Sequence, residues 1–135
     1  IGVALRTIAA IRRLPAGDRP QRVFGCEVWR GLDWMLDEDK AGFDLTRQQN
    51  LQAALVSVFD SQISGGKRYD LAVEGRNRAN ATYFKSHSVD AASSVSFAMD
   101  LTPLIQDDTV DPLDFMRELL QHFTDDVEAR LNRMR

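Results

Sequence analysis

Few residues in this sequence are of types that carry out nucleophilic, acid-base or metal chemistry. There is one cysteine, Cys26, and there are two histidines, His87 and His122. A catalytic zinc site usually takes three protein ligands, most often histidines with a carboxylate. The two histidines are far apart in sequence and belong to no zinc-binding motif. We therefore expect no catalytic residue and no metal ligand within this chain.

Each of these three residues also has an ordinary structural explanation. Cys26 falls in a predicted strand, where a lone cysteine is usually a small buried hydrophobe; a nucleophilic thiol would need an exposed turn and a base. His122 falls on a predicted helix, as a structural or solvent-facing residue. His87 falls in a predicted loop, and a functional role for it stays open.

The densest group of cations follows a glycine pair and is the main candidate binding site. Lys67, Arg68, Arg76 and Arg78 come after Gly65-Gly66, and the backbone amides of such a turn can help to bind an anion. We expect Lys67, Arg68 and Arg76 to be substrate-binding residues that face a small polar ligand or a neighbouring subunit. The alternative is a solvated face with surface ion pairs.

A smaller acidic group precedes the last predicted helix. Asp107, Asp108 and Asp111 could bind a hard cation. Capping of the helix and its dipole already account for carboxylates at this position.

Length and composition limit the class of protein. The chain has 135 residues, of which 44% are apolar and 27% charged, so we expect a single globular domain over residues 1–135, or a fragment of one. The net charge of −3 argues against a nucleic-acid partner. No apolar run approaches the roughly 18 residues of a membrane helix, and no signal peptide is visible. We expect a cytoplasmic protein.

The first half contains two predicted helices and a predicted strand. Ile1, Leu5, Ile8 and Ile11 recur at helical spacing until Pro15 and Gly17. Residues 23–29 are β-branched and aromatic, which predicts a strand buried on at least one face. Thr46 and Gln49 match a capping box, with Asp44 as a rival cap. The helix that follows has one apolar face and should end at Gly65-Gly66; this face consists of Leu51, Ala54, Leu55, Val58 and Phe59.

The second half ends in the clearest helix of the chain. Residues 67–101 are ambiguous at first, since residues 69–83 fit a strand or a helix, but residues 95–101 alternate as a strand does until Pro103. Asp111 should cap the last helix and Pro112 should take its first position. Its predicted apolar face consists of Met116, Leu119, Phe123, Val127 and Leu131. The order of elements predicts an α/β fold with a long C-terminal helix.

Five short runs carry a resemblance to a known family. They are residues 27–34 (EVWRGLDW), 43–46 (FDLT), 59–63 (FDSQI), 65–70 (GGKRYD) and 79–83 (ANATY). Together they resemble the C-terminal half of the PIG-L/LmbE-like deacetylases, over about residues 1–104. The Ser61-Gln62 pair is the mark most general to the family, and the longer runs resemble one bacterial subgroup.

The resemblance implies a fold, a reaction and a partner. Members of this family remove an acetyl group from N-acetylglucosaminyl conjugates with a zinc-bound water, and their fold is Rossmann-like. Their zinc motifs, Ala-His-Pro-Asp-Asp and His-x-x-His, do not occur here, so we expect zinc in the full-length family and none on this chain alone. The partner would be the N-terminal half of the same protein or a homo-oligomer partner. The opening at Ile1 also suggests a processed chain or a piece of a longer one. The alternative is a non-catalytic binding or assembly domain of α/β fold.

Overall fold

The protein is a mixed α/β structure with a long C-terminal helix. The computed structural model describes residues 2–27, 30–83 and 92–134, with Tyr83 described as backbone only. Within these residues the helices are α1 (Gly2–Arg12), α2 (Gln49–Ser57), α3 (Tyr69–Tyr83), α4 (Pro103–Gln106) and α5 (Pro112–Arg133). The strands are β1 (Phe24–Gly25), β2 (Ala41–Asp44) and β3 (Val95–Asp100), and they form a small antiparallel sheet.

The helix predicted at the start of the chain is confirmed. Helix α1 buries Ile8, which is 1% exposed, and ends at Arg12, three residues before Pro15. Pro15 precedes a short 3-10 turn, Ala16–Asp18. This position suits proline because it supplies the turn with a fixed φ and no N–H group.

The strand predicted over residues 23–29 is much shorter than expected. Only Phe24 and Gly25 pair with β3, and residues 28 and 29 lie outside the described residues. A Cβ atom on Gly25 would lie 3.0 Å from Leu101 Cδ1, so close packing favours glycine here. Cys26 follows the end of the strand and is exposed. The prediction of a buried cysteine is therefore wrong.

Strand β3 is confirmed, and it pairs with a strand that the sequence pattern did not indicate. Residues Val95 to Ala98 lie opposite β2 in antiparallel register. The β2 sequence, Ala-Gly-Phe-Asp, lacks the apolar alternation of a half-buried strand. Most of β3 is buried, including Ala98 at 4% exposed. Strand β2 pairs with its first four residues and β1 with its last two.

Helix α2 begins later than predicted, and the capping box is wrong. The helix starts at Gln49 without a side-chain cap. Thr46 Oγ1 accepts a hydrogen bond from the Ser93 amide at 2.9 Å, while Asp44 Oδ1 accepts one from the Thr46 amide at 2.8 Å. Hydrogen bonding to the side chain and to the amide of Thr46 lowers the pKa of Asp44. The threonine thus joins two segments of the chain.

The C-terminal end of α2 also differs from the prediction. The helix stops at Ser57, well before Gly65-Gly66, and these glycines instead sit in a turn at φ values of 69° and 88°. Glycine adopts such values at little cost. The apolar side of α2 is largely exposed, with Val58 at 74% and Leu55 at 59%.

The second half of the chain contains helix α3, where the sequence allowed a strand or a helix, and the predicted helix α5. Residues 69–83 form a helix. In α5 the predicted cap is confirmed, because the Leu113 and Asp114 amides donate to Asp111 Oδ1 at 2.7 and 3.0 Å. The predicted apolar face is buried only at Met116, and Val127 and Leu131 are 39% and 57% exposed.

The chain divides into two compact units, each built from separate stretches of sequence. The first comprises Ile1–Gly25, Asp33–Lys40 and Met99–Arg135, and its buried residues include Ile8, Leu101 and Leu104. The second comprises Cys26–Leu32 and Ala41–Ala98, and its buried residues include Val73, Val95 and Phe97. Across the described residues, every helix is too short or too polar to span a membrane.

Candidate ligand-binding pocket

The second unit contains a pocket of about 390 Å³ beside α2 and α3. A volume of this size is within the range of small-molecule sites. Most of its wall is apolar, and the apolar contributors are Leu45, Leu51, Leu55, Val56, Phe59, Val73 and Phe97. The polar contributors are Cys26, Glu27, Arg30, Gln48, Gln52, Arg76, Asn77, Asn80 and Ser96.

Helical periodicity explains which side chains reach this pocket. From α3 it receives Val73, Arg76, Asn77 and Asn80, which are spaced i, i+3, i+4 and i+7 and therefore share one helix face. From the α2 side it receives Leu51 and Leu55, which are one turn apart on the helix, and Phe59, two residues beyond its end. The pocket thus has a largely apolar wall on the α2 side and mostly polar side chains on the α3 side.

Asn77 is the most deeply buried polar residue of the pocket. It is 6% exposed, and no hydrogen bond of its side chain is found within residues 2–27, 30–83 and 92–134. In the same ranges no buried side-chain nitrogen or oxygen atom lacks both a partner and contact with open space. Asn77 is one of the residues that line the pocket, so its amide is placed where a ligand can pair with it.

A second asparagine is held in place by the sheet. Asn80 Nδ2 donates to the Val95 carbonyl at 3.1 Å. This bond fixes the side chain one turn beyond Asn77 on the pocket face of α3. Together the two residues position two amide groups along one wall.

Charged groups of both signs complete the lining. Arg76 is exposed and lines the pocket. Glu27 also lines it, and its Oε2 accepts a hydrogen bond from the Leu32 amide at 3.2 Å, which restrains the carboxylate. Arg30 is a further cation at the pocket, and Cys26 places an exposed thiol there.

An adjacent side of α3 lines a second cavity of about 330 Å³, and Val73 lines both cavities. Asp70, Glu74 and Arg78 contribute to it, and Arg78 Nη2 lies 2.6 Å from Glu74 Oε1. Since Arg78 and Glu74 already neutralise each other, this cavity has less unsatisfied polarity than the one at Asn77.

The structure separates the three cations that were expected to bind substrate. Arg76 lines the larger pocket, whereas Lys67 and Arg68 line neither of these two cavities. Arg68 forms a two-pronged contact with Asp70, at 3.0 and 2.9 Å, and this contact lowers the pKa of Asp70. Lys67 is exposed. A binding role for the three residues stays a prediction, and the geometry favours Arg76 as its focus.

The residues described do not match the zinc site of the family named above. Within them no three His, Cys, Asp or Glu side chains lie close enough to hold a metal ion. His122 Nδ1 is 3.2 Å from Asp39 Oδ2, and this pair lies in the first unit. His87 is outside the described residues. We therefore derive no catalytic step through zinc on this chain.

The acidic group before α5 is occupied by protein donors. Thr109 donates to Asp107 through its amide and its hydroxyl, at 2.8 and 2.6 Å. Asp108 accepts hydrogen bonds from both terminal nitrogens of Arg19, each at 2.8 Å. These bonds lower the pKa of both carboxyls. Capping and ion pairing thus account for the cluster, as the sequence suggested for Asp111.

Sequence reasoning missed the role of the asparagines. Asn77 and Asn80 were visible only as polar residues among the cations of the basic cluster. A usable signal was present, because positions 73, 76, 77 and 80 form one helix face, but it required the helical alternative for residues 69–83.

A comparison of the chain with protein-family models, curated proteins and solved structures found no match.

Proposed function

We propose that this chain is the C-terminal segment of a zinc-dependent deacetylase that acts on N-acetylated, sugar-like conjugates. One observation carries the proposal. Three of the five runs that resemble the family contribute to a single pocket: Glu27 and Arg30 from the first run, Phe59 from the third and Asn80 from the last. Runs that are distant in sequence are expected to meet at a site when they share a function.

In this proposal the chain binds and orients the substrate. Arg76 offers a planar set of donors suited to hydroxyl or carboxylate oxygens, and the amides of Asn77 and Asn80 can bond the polar groups of a sugar or an acetamide. Bound zinc in such an enzyme would polarise the acetyl carbonyl and activate water. The metal ligands would come from an N-terminal half or a partner subunit, and this chain would form the second half of a Rossmann-like layered fold.

The test is made on the native polypeptide from its source. Its intact mass and N-terminal sequence show whether the two histidine motifs precede this segment. Acetate release from N-acetylglucosaminyl conjugates is then measured with zinc present. We expect release, and we expect Arg76→Ala to reduce it at least tenfold with little change in unfolding. A native polypeptide that lacks the motifs and releases no acetate would exclude the deacetylase.

A second candidate is a non-catalytic binding or assembly domain. It is favoured by apolar side chains left exposed on two helices, such as Leu55 and Val58 beside α2 and Leu131 on α5. An assembly domain would sediment as a discrete oligomer, and Val58→Glu or Leu131→Glu would return it to a monomer. A monomer at all concentrations would exclude self-assembly.

A further inference from the structure

The pocket beside Asn77 is unusual for a site that binds only sugar. A sugar ring presents hydroxyls around its rim and only small C–H faces, whereas the α2 side of this pocket presents Leu51, Leu55 and Phe59. Each of these side chains is more than 40% exposed. Covering such carbons is favourable by about 25 cal/mol per Å², so a ligand with a larger apolar group gains more of this than a bare sugar does.

The polar side of the pocket selects a neutral group with both donor and acceptor. Asn77 offers an N–H₂ donor and a carbonyl acceptor. A carboxylate could satisfy only the donor, because it has no hydrogen to give. A secondary amide is neutral and can pair with either group, through its carbonyl or through its N–H.

The charges at the pocket do not require an anionic ligand. The pocket wall contains one carboxylate, Glu27, and two arginines, Arg30 and Arg76. Lys67 and Arg68 do not contribute to its wall, so the pocket lacks the set of cations expected for a phosphate group.

We propose that this pocket binds a small amphipathic amide, whose apolar aryl or alkyl group lies against Leu51, Leu55 and Phe59 and whose amide bonds Asn77. If the proposed function holds, the substrate class is an N-acetylated sugar conjugate that carries an apolar group. Only this statement about the substrate rests on the proposed function. The pocket binds the apolar group, and Asn77 forms a hydrogen bond with the adjoining amide.

The experiment compares two glycosides that differ only in their apolar group. Benzyl and methyl N-acetylglucosaminide are titrated separately into the purified chain by calorimetry. We expect the benzyl compound to bind at least about tenfold more tightly, since burial of one ring is worth more than the 1.4 kcal/mol that a factor of ten requires. Equal affinities for the two glycosides, or no binding of either, would overturn the proposal.

Two variants test the two halves of the pocket. Leu55→Ala changes an exposed side chain and should leave folding intact, so a tenfold loss for the benzyl glycoside with no loss for the methyl glycoside is expected. Asn77→Leu should weaken binding of the benzyl glycoside about tenfold. It should leave binding of benzyl alcohol, which has no amide, unchanged. Leu131→Ala and Asn132→Leu, exposed positions on α5, are the matched controls. Unchanged binding of the benzyl glycoside to Leu55→Ala would overturn the proposal even where Asn77→Leu does not fold.

This outcome is separate from that of the deacetylase proposal. Binding of the benzyl glycoside that depends on Leu55 and Asn77, without acetate release by the native polypeptide, supports the pocket and excludes the enzyme. Acetate release by the native polypeptide, without tighter binding of the benzyl glycoside, supports the enzyme and excludes the proposal for the pocket.

Discussion

Two arginines join distant parts of the first unit through backbone carbonyls. Arg12, at the end of α1, donates to the carbonyls of Leu104, Val110 and Asp107 at 2.6, 2.7 and 3.2 Å. Arg19 donates to the Ile105 and Arg12 carbonyls, both at 2.9 Å. The carbonyls at the end of a short helix have no helical partner. These guanidinium groups supply the donors that α4 and the following turn lack.

We expect Arg12→Ala to lower the free energy of unfolding by about 2–3 kcal/mol, because hydrogen bonds from charged groups are worth that much when buried acceptors would otherwise be left unpaired. The Arg12 side chain is 18% exposed. Arg12→Lys keeps the charge but loses the planar set of donors, so it should lower the free energy of unfolding by less than Arg12→Ala does. The neighbouring exposed residue Arg13 is the control, and Arg13→Ala should stay within about 0.5 kcal/mol. Urea unfolding that gives equal losses for Arg12→Ala and Arg13→Ala would refute this role.

The pair between Arg19 and Asp108 predicts a specific pH dependence. The hydrogen bond from Arg19 lowers the pKa of Asp108 below its ordinary value of 3.8. A carboxyl whose pKa is lower in the folded state adds stability that is complete above the unfolded pKa and disappears as the pH falls through the folded value. The contribution should therefore be constant at neutral pH and decrease below about pH 4.

Asp108→Asn measures that contribution. We expect it to destabilise the protein at pH 7, and we expect the difference from the parent chain to shrink steadily below pH 4. Glu128→Gln removes an exposed carboxylate on α5 and should have no effect at either pH. Denaturant unfolding at several pH values checks both. A difference that grows on acidification would contradict the assigned direction of the pKa shift.

Individual residues were predictable where their signal is local. Asp111 followed by Pro112 specifies a helix start within two positions, and the structure confirms it. Thr46 and Gln49 gave an equally local signal that was wrong, because Ser93, more than forty residues away, takes up both side chains. The exposure of Cys26 also depends on distant pairing, because β3 pairs with Phe24 and Gly25 and β1 ends before Cys26.

At the scale of elements, α5 shows that an apolar stripe and a buried face are different things. The stripe runs from Met116 to Leu131, but only Met116 is fully buried in the chain. Leu119 and Phe123 are half-buried, and the stripe beyond them is exposed. Periodicity predicts which residues share a face. It does not predict how far along the helix that face has a neighbour.

A gradient of stability effects along α5 is expected. Met116→Ala should cost about 2–4 kcal/mol, as is usual for a fully buried methionine. Phe123→Ala should cost about 1.5–2.5 kcal/mol, less than the 3–5 kcal/mol of a fully buried ring. Leu131→Ala should stay within about 0.5 kcal/mol. Equal losses at the three positions, measured by urea unfolding, would mean that the whole stripe is covered in solution.

Strand β2 marks the limit of element prediction. Its Ala-Gly-Phe-Asp sequence has low strand propensity, and it becomes a strand because β3 offers it an edge. Tertiary pairing of this kind leaves no pattern in the strand that accepts it. The helices α1 and α5 were predictable because their own periodicity and end signals suffice.

For the whole molecule, the interleaving of the two units ties distant segments together. Helix α1 belongs to the same unit as α4 and α5 and packs against α4. An isolated helix of 11 residues is marginal in water. Helix α1 should therefore depend on residues that come about a hundred positions later.

Two shortened chains test this dependence. A chain ending at Asp100 keeps all of β3 but lacks α4 and α5, and it should lose protection of the α1 amides in hydrogen exchange. A chain ending at Phe123 lacks only the exposed end of α5 and should keep that protection. Retained α1 protection in the shorter chain would show that α1 is stabilised by other contacts.

The register of β2 and β3 has a consequence for how such a protein can be rearranged. Ala41 and Ala98 are direct register partners, and they are also the first and last residues of the longer stretch of the second unit. A segment whose two ends lie side by side can be inserted into a host chain, or excised and closed with a short turn, without moving the flanking residues. Residues 41–98 therefore have the geometry of a transplantable insert. The pocket would travel with the insert except for Cys26, Glu27 and Arg30, which belong to an earlier stretch and would have to be grafted with it.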